Sequence, residues 1–457
     1  MTDTFQAELQ RAHSEGDRYL AALAIVLLGY ALMGKGFAYL GLPPLYVGEI
    51  ALLAGIVVFF RTGALAASLM TLPGLLLLML MAWVAARMIP YLGEYGFDAL
   101  RDSAIVSYGG FAFIVIGLLL EDARRIDTLL RYYDKFVTSF PAIFVGLYLT
   151  SFWTDDIPRL SGPVPILDIT TSAVGTHLCG TMVFVLIGYR KISFLWLSVW
   201  LATLALASAI NRGAMLSVIV PVTFAIIMLG RFRLMIITAL SAVTMLFALL
   251  VIEDGFGQAN DPGFSDPQTM TRRQISVHQI VENAWSIVGT SGRQTQGTVQ
   301  WRLNWWDIIV NDTIRGPNFW TGRGFGLNLG EADGFGSPDP RDPRPPTRSP
   351  HNAHITLLAR AGMPGLVLWS LLLISWFGMQ LKAIRLARAH GDEPWARLFL
   401  FVMCYAASII INATFDVTLE GPMQGIWFWC LFGFGIGSVM IYRAQRSDGM
   451  ATEAQRW

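Results

Sequence analysis

Three basic side chains, Arg212, Arg302 and His351, are the residues of this sequence best suited to chemistry. A guanidinium group holds phosphate oxygens in a planar, bidentate geometry, and two of them would make a clamp for a diphosphate. An imidazole ordinarily exchanges its proton near neutral pH, which suits proton transfer to or from a hydroxyl group. Together, the three side chains indicate a polyanionic substrate and a reaction at a hydroxyl.

Each of the three also has a purely structural interpretation, which the sequence leaves open. Arg212 lies in a tight turn, residues 211–213, between two apolar segments, where its side chain could instead reach lipid head groups. Arg302 is surrounded by tryptophans at positions 301, 305 and 306, a pattern that is also typical of anchoring at a membrane interface. His351 opens a helical run, residues 352–362, and could simply cap it.

Further residues near these three are predicted to bind substrate: Arg323, Arg348, Asn352, His354, Gly324 and Trp305. The glycine-rich loop, residues 322–326, lacks the Lys-Ser or Lys-Thr ending of a nucleotide-binding loop. We interpret it as a tight turn that brings backbone close to a substrate or to a neighbouring helix. His354 could complete a metal pair with His351, but no glutamate or third histidine lies nearby. We therefore predict neither a metal nor another cofactor.

The composition places the chain among membrane proteins. Of its 457 residues, 54% are hydrophobic and only 14% are charged, against about a quarter in soluble domains. A formal net charge of +1 gives no general basic field, so nucleic acid is not an expected partner. The three cysteines, Cys179, Cys404 and Cys430, have no paired spacing and are predicted to be small buried residues.

The elements that must position these residues are apolar segments long enough to cross a bilayer, which predict an all-α polytopic membrane protein. Twelve such segments are predicted, at residues 19–38, 45–61, 71–90, 104–120, 136–153, 170–189, 192–210, 213–230, 232–252, 361–380, 395–413 and 424–442.

The distribution of lysine and arginine predicts the orientation of these segments, because short cytoplasmic connections retain basic residues. With both termini in the cytoplasm, the inside connections are basic, with Arg124, Arg190, Arg231 and Lys382 among their residues. Arg212, in a short turn on the outer side, is an exception.

The predicted division of the chain is four regions: nine helices in residues 1–252, a large outer loop in 253–352, three helices in 353–442 and a cytoplasmic tail in 443–457. Within the loop, residues 254–270 and 330–350 are predicted to be flexible. Residues 274–287 and 298–312 have helical apolar spacing.

In their order along the chain, three motifs resemble those of the O-antigen ligases and the related Wzy-type polysaccharide polymerases of bacterial envelopes. They are the turn at 211–213 before a helix, Arg302 with its tryptophans, and the glycine loop leading to His351-Asn352. Asn211 departs from the serine of many relatives, and the proline-rich stretch 338–350 looks longer than usual.

The resemblance implies a GT-C-like fold in the bacterial inner membrane, with the large loop in the periplasm between helices 9 and 10. It implies en bloc transfer of a glycan from undecaprenyl diphosphate to an acceptor hydroxyl, without metal and with inversion. Arg212 and Arg302 would hold the diphosphate, and His351 would act on the hydroxyl as base or as orienting partner.

The resemblance leaves the acceptor open. A ligase, the interpretation we favour, would use lipid A core, whereas a polymerase would extend a second lipid-linked glycan. A transporter of a lipid-linked anion is a different class, and it would carry charges within its spans and paired broken helices. The predicted spans are nearly free of charge.

Overall fold

The computed structural model describes residues 2–153, 158, 164–233, 236, 293–335 and 347–454. These residues are overwhelmingly helical, as predicted, and a small antiparallel hairpin pairs β1 (Gly41–Leu42) with β2 (Leu45–Tyr46). The helices are α1 (Thr2–Met33), α2 (Lys35–Ala38), α3 (Val47–Thr62), α4 (Leu65–Leu69), α5 (Leu72–Met88), α6 (Leu92–Tyr95), α7 (Phe97–Ser107), α8 (Gly110–Glu121), α9 (Arg125–Trp153), α10 (Thr171–Leu186), α11 (Phe194–Ile210), α12 (Arg212–Met228), α13 (Arg293–Val310), α14 (Leu329–Ala332), α15 (Ala353–Ala389), α16 (Glu393–Ala413) and α17 (Pro422–Ala454).

Among the described residues, five helices are long and apolar enough to cross a membrane. They are Ser14–Met33, Leu72–Tyr95, Ala353–Ala389, Glu393–Ala413 and Pro422–Ser447. A sixth span is possible if α7 and α8, which meet at a bend of 42°, count as one. The chain is thus an all-α polytopic membrane protein. The count of twelve stays a prediction, and most of the segment 232–252 lies outside the described residues.

The last two helices form the centre of the bundle. α17 packs along α8 and α16, and α16 in turn contacts α10, α12 and α15. Large aromatic side chains fill the interior while their ring nitrogens bond to backbone carbonyls: Trp429 Nε1 donates to Ile105 at 3.1 Å, and Trp376 Nε1 donates to Phe432 at 2.9 Å. The three cysteines are free and buried, as predicted.

α15 is broken near its start, and the break shapes the candidate site. Gly362 has a φ of 69°, a conformation that favours glycine, and Pro364 lacks the N–H that would continue the helix. Carbonyl groups of the preceding turn therefore lose their helical partners. The glycine loop replaces them, since Arg323 N donates to Ala359 O at 2.7 Å and Gly324 N donates to Arg360 O at 3.1 Å.

The polar segment before α15 has a small core of its own. Trp305 is fully buried with Ile309, Leu329 and Ala359, and its ring stacks on Phe335 at a centroid distance of 5.2 Å. The helix predicted at 298–312 is confirmed by α13, whereas the predicted helix at 274–287 and the flexible stretch 254–270 lie outside the described residues.

The second stretch predicted to be flexible, 330–350, begins in ordered structure instead. Leu329–Ala332 is helical, and the carboxylate of Asp333 accepts a hydrogen bond from Trp305 Nε1 at 2.8 Å. This pairing with a residue far along the chain holds the segment in place, so its polar composition was a poor guide. Residues 336–346 lie outside the described part.

Candidate active site

His351 is held in an unusual backbone conformation at the start of α15. Its φ is 54°, and it is the non-glycine residue with positive φ in the described chain. Such conformations cost free energy and are common at functional sites. The next residue, Asn352, caps the helix by accepting hydrogen bonds from the amides of His354 and Ile355 at 3.0 and 3.2 Å. The imidazole is therefore presented by a fixed turn rather than by a free loop.

A carboxylate faces the imidazole. His351 Nδ1 lies 3.5 Å from Asp416 Oδ1, in the connection between α16 and α17. Burial raises the pKa of Asp416, but its interactions with His351 and Ser172 outweigh burial and bring the pKa below its ordinary value. Asp416 is thus a stable anion beside His351, in the arrangement in which a carboxylate orients an imidazole and stabilises its protonated form.

Asp416 was not predicted as a site residue from the sequence. The carboxylates of the outer connections, Asp416 among them, have no metal-ligand spacing, and they were judged only on that property. A usable signal was present: Asp416 lies in a short polar stretch between two apolar segments, on the same predicted side of the membrane as His351.

Arg302 lies on α13, the helix that packs against the turn bearing His351. Trp306 Nε1 donates to Pro350 O at 2.8 Å, and the Trp301 ring meets the His351 ring edge-on at 6.2 Å. In sequence, Arg302 lies between these two tryptophans, and its side chain is half-buried. It shares a helix face with Trp306, four residues later. The tryptophans predicted as membrane anchors therefore fasten α13 to the turn that carries His351.

The turn that bears Arg212 meets the segment that bears Asp416. Asn211 ends α11 and caps α12, accepting a hydrogen bond from Gly213 N at 2.8 Å. An added Cβ on Gly213 would lie 3.4 Å from the Cβ of Phe415, next to Asp416. The backbone of Arg212 is therefore close to the site, while its side chain lies outside the described part of the structure.

Arg323 and Gly324 have structural contacts. Arg323 binds two carboxylates, Asp312 at 2.7 Å and Asp333 at 2.6 Å, and these raise its pKa although burial alone would lower it. An added Cβ on Gly324 would overlap the ring of Tyr91. Of the two roles predicted for the glycine loop, approach to a neighbouring helix is the one visible here. Direct binding of substrate by these residues stays a prediction.

Other predicted substrate-binding residues also have partners. His354 Nδ1 accepts a hydrogen bond from Trp369 Nε1 at 2.9 Å, so Nε2 carries the proton of the neutral ring and faces Thr414 Oγ1 at 3.4 Å. Asn352 serves as the helix cap, and Trp305 is buried in the small core. These contacts favour positioning roles.

A cavity of about 240 Å³ opens beside His351. Its lining includes the side chains of Arg348, Arg360 and Glu420. Glu420 Oε1 accepts hydrogen bonds from the hydroxyls of Ser349 and Thr356, both at 2.8 Å. Burial raises the pKa of Glu420, and these two hydroxyls together with the charge of Arg360 offset only part of that effect.

Metal ligands do not converge here. In the described part of the chain, no three His, Cys, Asp or Glu side chains come together as a metal site would require. The charged groups of the site pair with one another instead: Asp102 forms ion pairs with Arg360 at 2.9 Å and with Arg348 at 3.3 Å.

The fold and this site define a class: an all-helical membrane protein with a histidine–carboxylate pair, arginines and a polar cavity gathered where several helices end. Residues 197–370 match the family model described as O-Antigen ligase. The resemblance indicated by the sequence motifs is confirmed by this match, which spans Arg212, Arg302 and His351 and ends before Asp416. It supports a role in glycan transfer or polymerisation at a membrane. The comparison with curated proteins finds no match.

Proposed function

We propose that the protein is a membrane glycosyltransferase of the ligase type, which transfers a glycan from undecaprenyl diphosphate to a hydroxyl of lipid A core. The observation that carries the proposal is the 3.5 Å approach of His351 Nδ1 to Asp416 Oδ1, beside the helix of Arg302 and the turn of Arg212. In this proposal the fold is GT-C-like with twelve spans, both termini are cytoplasmic, and the site faces the periplasm of the inner membrane.

The proposed reaction gives each of these groups a role. The acceptor oxygen attacks the anomeric carbon from the side opposite the diphosphate, so a new C–O bond forms with inversion. The bond between that carbon and the phosphate oxygen breaks, and its electron pair leaves with the diphosphate. The hydroxyl proton passes to His351, and Asp416 at 3.5 Å stabilises the imidazolium.

Charge on the departing diphosphate is the remaining requirement. In the proposed mechanism, Arg302 and Arg212 neutralise it, as guanidinium groups do for other phosphate leaving groups. Their positive charge is fixed and planar, so it suits the oxygens of a diphosphate better than a mobile ammonium would.

A lipid-linked donor also needs room for its hydrocarbon chain. An apolar groove of about 480 Å³ lies between α1, α9, α16 and α17, lined by side chains such as Leu23, Leu130 and Phe434. We assign this groove to part of the polyprenyl chain, because its lining offers hydrocarbon contact and few polar groups.

Two other functions are weighed against this one. A polymerase would share every feature described and differ only in its acceptor. A transporter would need free polar backbone along a path, and the carbonyls released by the break in α15 bond to Arg323, Gly324 and Trp83 instead.

The test is transfer by purified protein, with a chelator present and a defined undecaprenyl-diphosphate glycan as donor. One reaction offers lipid A core, and a second offers only the lipid-linked glycan. Product on lipid A core supports the ligase, and lengthened lipid-linked chains support the polymerase. If folded protein and intact donor yield neither of these products, the proposal is refuted. His351→Ala is the inactive reference.

A further inference from the structure

The cavity beside His351 has a lining that suits one particular kind of molecule. We propose that it is the acceptor subsite and that it binds a sugar carrying an anionic group, either carboxylate or phosphate. This inference rests on the proposed function and names its substrate more closely. The argument uses three properties of the cavity: its unused donors, its acceptor and its size.

The donors are the guanidinium groups of Arg101, Arg348 and Arg360, which share the carboxylates of Asp98 and Asp102. Asp102 Oδ2 accepts hydrogen bonds from Arg348 at 3.3 Å and from Gly326 N at 3.0 Å, and it also forms an ion pair with Arg360 at 2.9 Å. Arg101 adds a third guanidinium, 3.7 Å from the other oxygen of Asp102. Three guanidinium groups thus share two carboxylates, which leaves this part of the cavity lining with a surplus of positive charge and of N–H groups.

Arg360 shows this surplus most directly. Its side chain is 1% exposed, and its Nε has no hydrogen-bond partner among the described residues. A buried donor of this kind is costly to leave unpaired, and because Arg360 lines the cavity we assign its missing partner to a molecule bound there. An anionic oxygen is the partner that a guanidinium binds most strongly.

Glu420 supplies hydrogen-bond acceptors to the same cavity. Its Oε1 already binds Ser349 and Thr356 at 2.8 Å, and a carboxylate has about four acceptor positions in all. The side chain is only half-buried, because it borders the cavity. It can accept hydrogen bonds from sugar hydroxyls, and it would repel a bare anion. A lining that holds both arginines and a carboxylate fits a molecule that carries both an anionic group and hydroxyl groups.

Size and position complete the argument. The cavity, at about 240 Å³, is smaller than the roughly 300–1,000 Å³ of sites for drug-sized ligands, so it fits a single sugar unit. His351 lines the same cavity. A hydroxyl of the bound sugar would therefore lie within reach of the imidazole, as transfer requires.

The first test measures binding in the absence of donor. Glucuronic acid, glucose 6-phosphate, glucose and inorganic phosphate are titrated into the purified full-length protein. The variant is Arg101→Gln, chosen because Arg101 is 43% exposed and its loss opens no core cavity. Its matched control is Arg124→Gln, an exposed arginine paired with Asp122 between α8 and α9. The two acidic sugars distinguish a carboxylate from a phosphate as the preferred anionic group.

The expected result is that an acidic sugar binds at least about tenfold more tightly than glucose or inorganic phosphate. Arg101→Gln should bind the acidic sugar with about tenfold lower affinity, and Arg124→Gln should bind it with the affinity of the unaltered protein. Equal binding of glucose, tighter binding of free phosphate, or equal behaviour of the two variants would overturn the inference.

The second test separates this inference from the proposed function. Glu420→Gln should raise the KM for acceptor about tenfold and leave the KM for donor unchanged. If transfer occurs but neither Glu420→Gln nor Arg101→Gln changes the acceptor KM, the subsite is refuted and the function stands. If acidic sugars bind as expected but no glycan is transferred, the binding site for an anionic sugar stands, whereas the proposed function and the site's role as acceptor subsite are refuted.

Discussion

The amide of Gly324 donates a hydrogen bond to the carbonyl oxygen of Arg360, at 3.1 Å. Pro364 cannot supply the N–H that this carbonyl would receive in an unbroken helix. The glycine loop thus completes the broken turn of α15, and the same contact holds Arg360 where its guanidinium reaches Asp102. The glycine loop therefore helps to hold the lining of the cavity beside His351 in place.

Gly324→Ala should destabilise the protein. The residue has a φ of 83°, and a Cβ there would overlap the ring of Tyr91, so steric overlap adds to the backbone cost of about 1–2 kcal/mol. We expect the free energy of unfolding, measured by thermal unfolding of the purified protein, to fall by about 3 kcal/mol or more.

Gly334→Ala is the matched control for this change. Its φ is 75°, yet nothing lies within 4 Å of an added Cβ, so it carries the backbone cost alone. Equal melting temperatures for the two variants would contradict the packing role assigned to Gly324.

Asp416→Asn should slow the chemical step. An amide does not stabilise the imidazolium of His351 as a carboxylate does, so we expect kcat to fall about 100-fold or more with little change in KM. The measurement is steady-state transfer at saturating donor and acceptor.

Asp122→Asn serves as the control for Asp416→Asn, because Asp122 pairs with the exposed Arg124 outside the site. Wild-type kcat in Asp416→Asn would remove Asp416 from the mechanism. A loss confined to KM would make it a binding residue instead.

Replacement of Arg302 tests whether a planar guanidinium is needed. Arg302→Lys keeps the positive charge but cannot form two parallel hydrogen bonds to a diphosphate, so we expect most of the activity lost by Arg302→Ala to be lost here too. Full activity of the lysine variant would reduce Arg302 to an anchor among its tryptophans. Helix content by circular dichroism should be unchanged in both variants, since the residue is only half-buried.

The pH dependence of stability should reveal the raised pKa of Glu420. Burial raises the pKa of Glu420 in the folded protein. The protonated side chain therefore makes its full contribution to stability below the unfolded-state pKa of about 4.3, and this contribution is lost as pH rises through the folded-state pKa. Glu420→Gln cannot ionise. The melting temperature of the unaltered protein should therefore fall relative to that of Glu420→Gln as pH rises from about 4 towards neutral. Parallel curves would contradict the raised pKa.

Transfer should continue in the presence of a chelator, because arginines rather than a metal ion are proposed to neutralise the diphosphate. The measurement is the initial rate with and without EDTA. A rate that falls and is restored by a divalent ion would require a different mechanism.

The sequence predicted those features that depend on local pattern. Apolar runs indicated the membrane helices, and the spacing of Trp301 and Trp305 indicated the helix α13. The position of His351 at a helix start followed from the residues beside it, although the cap itself is Asn352.

Pairings across long separations were not predictable in this way. Asp416 meets His351 only because α16 returns the chain to the same end of the bundle. Arg323 looked free to bind a substrate, since nothing in the sequence signalled that Asp312 and Asp333 would converge on it. A single sequence encodes such contacts in the packing of whole helices, not in local spacing.

The break at Gly362 also bears on how the protein meets bilayers of different thickness. Residues 363–389 form the long apolar part of α15, and a helix of this kind adjusts to a thinner or thicker bilayer by changing its tilt. The short part, residues 353–361, is fastened to the glycine loop and to Trp83. If α15 tilts about the break, the short part stays with the glycine loop and His351 stays near Asp416, so the candidate site would be shielded from changes in bilayer thickness.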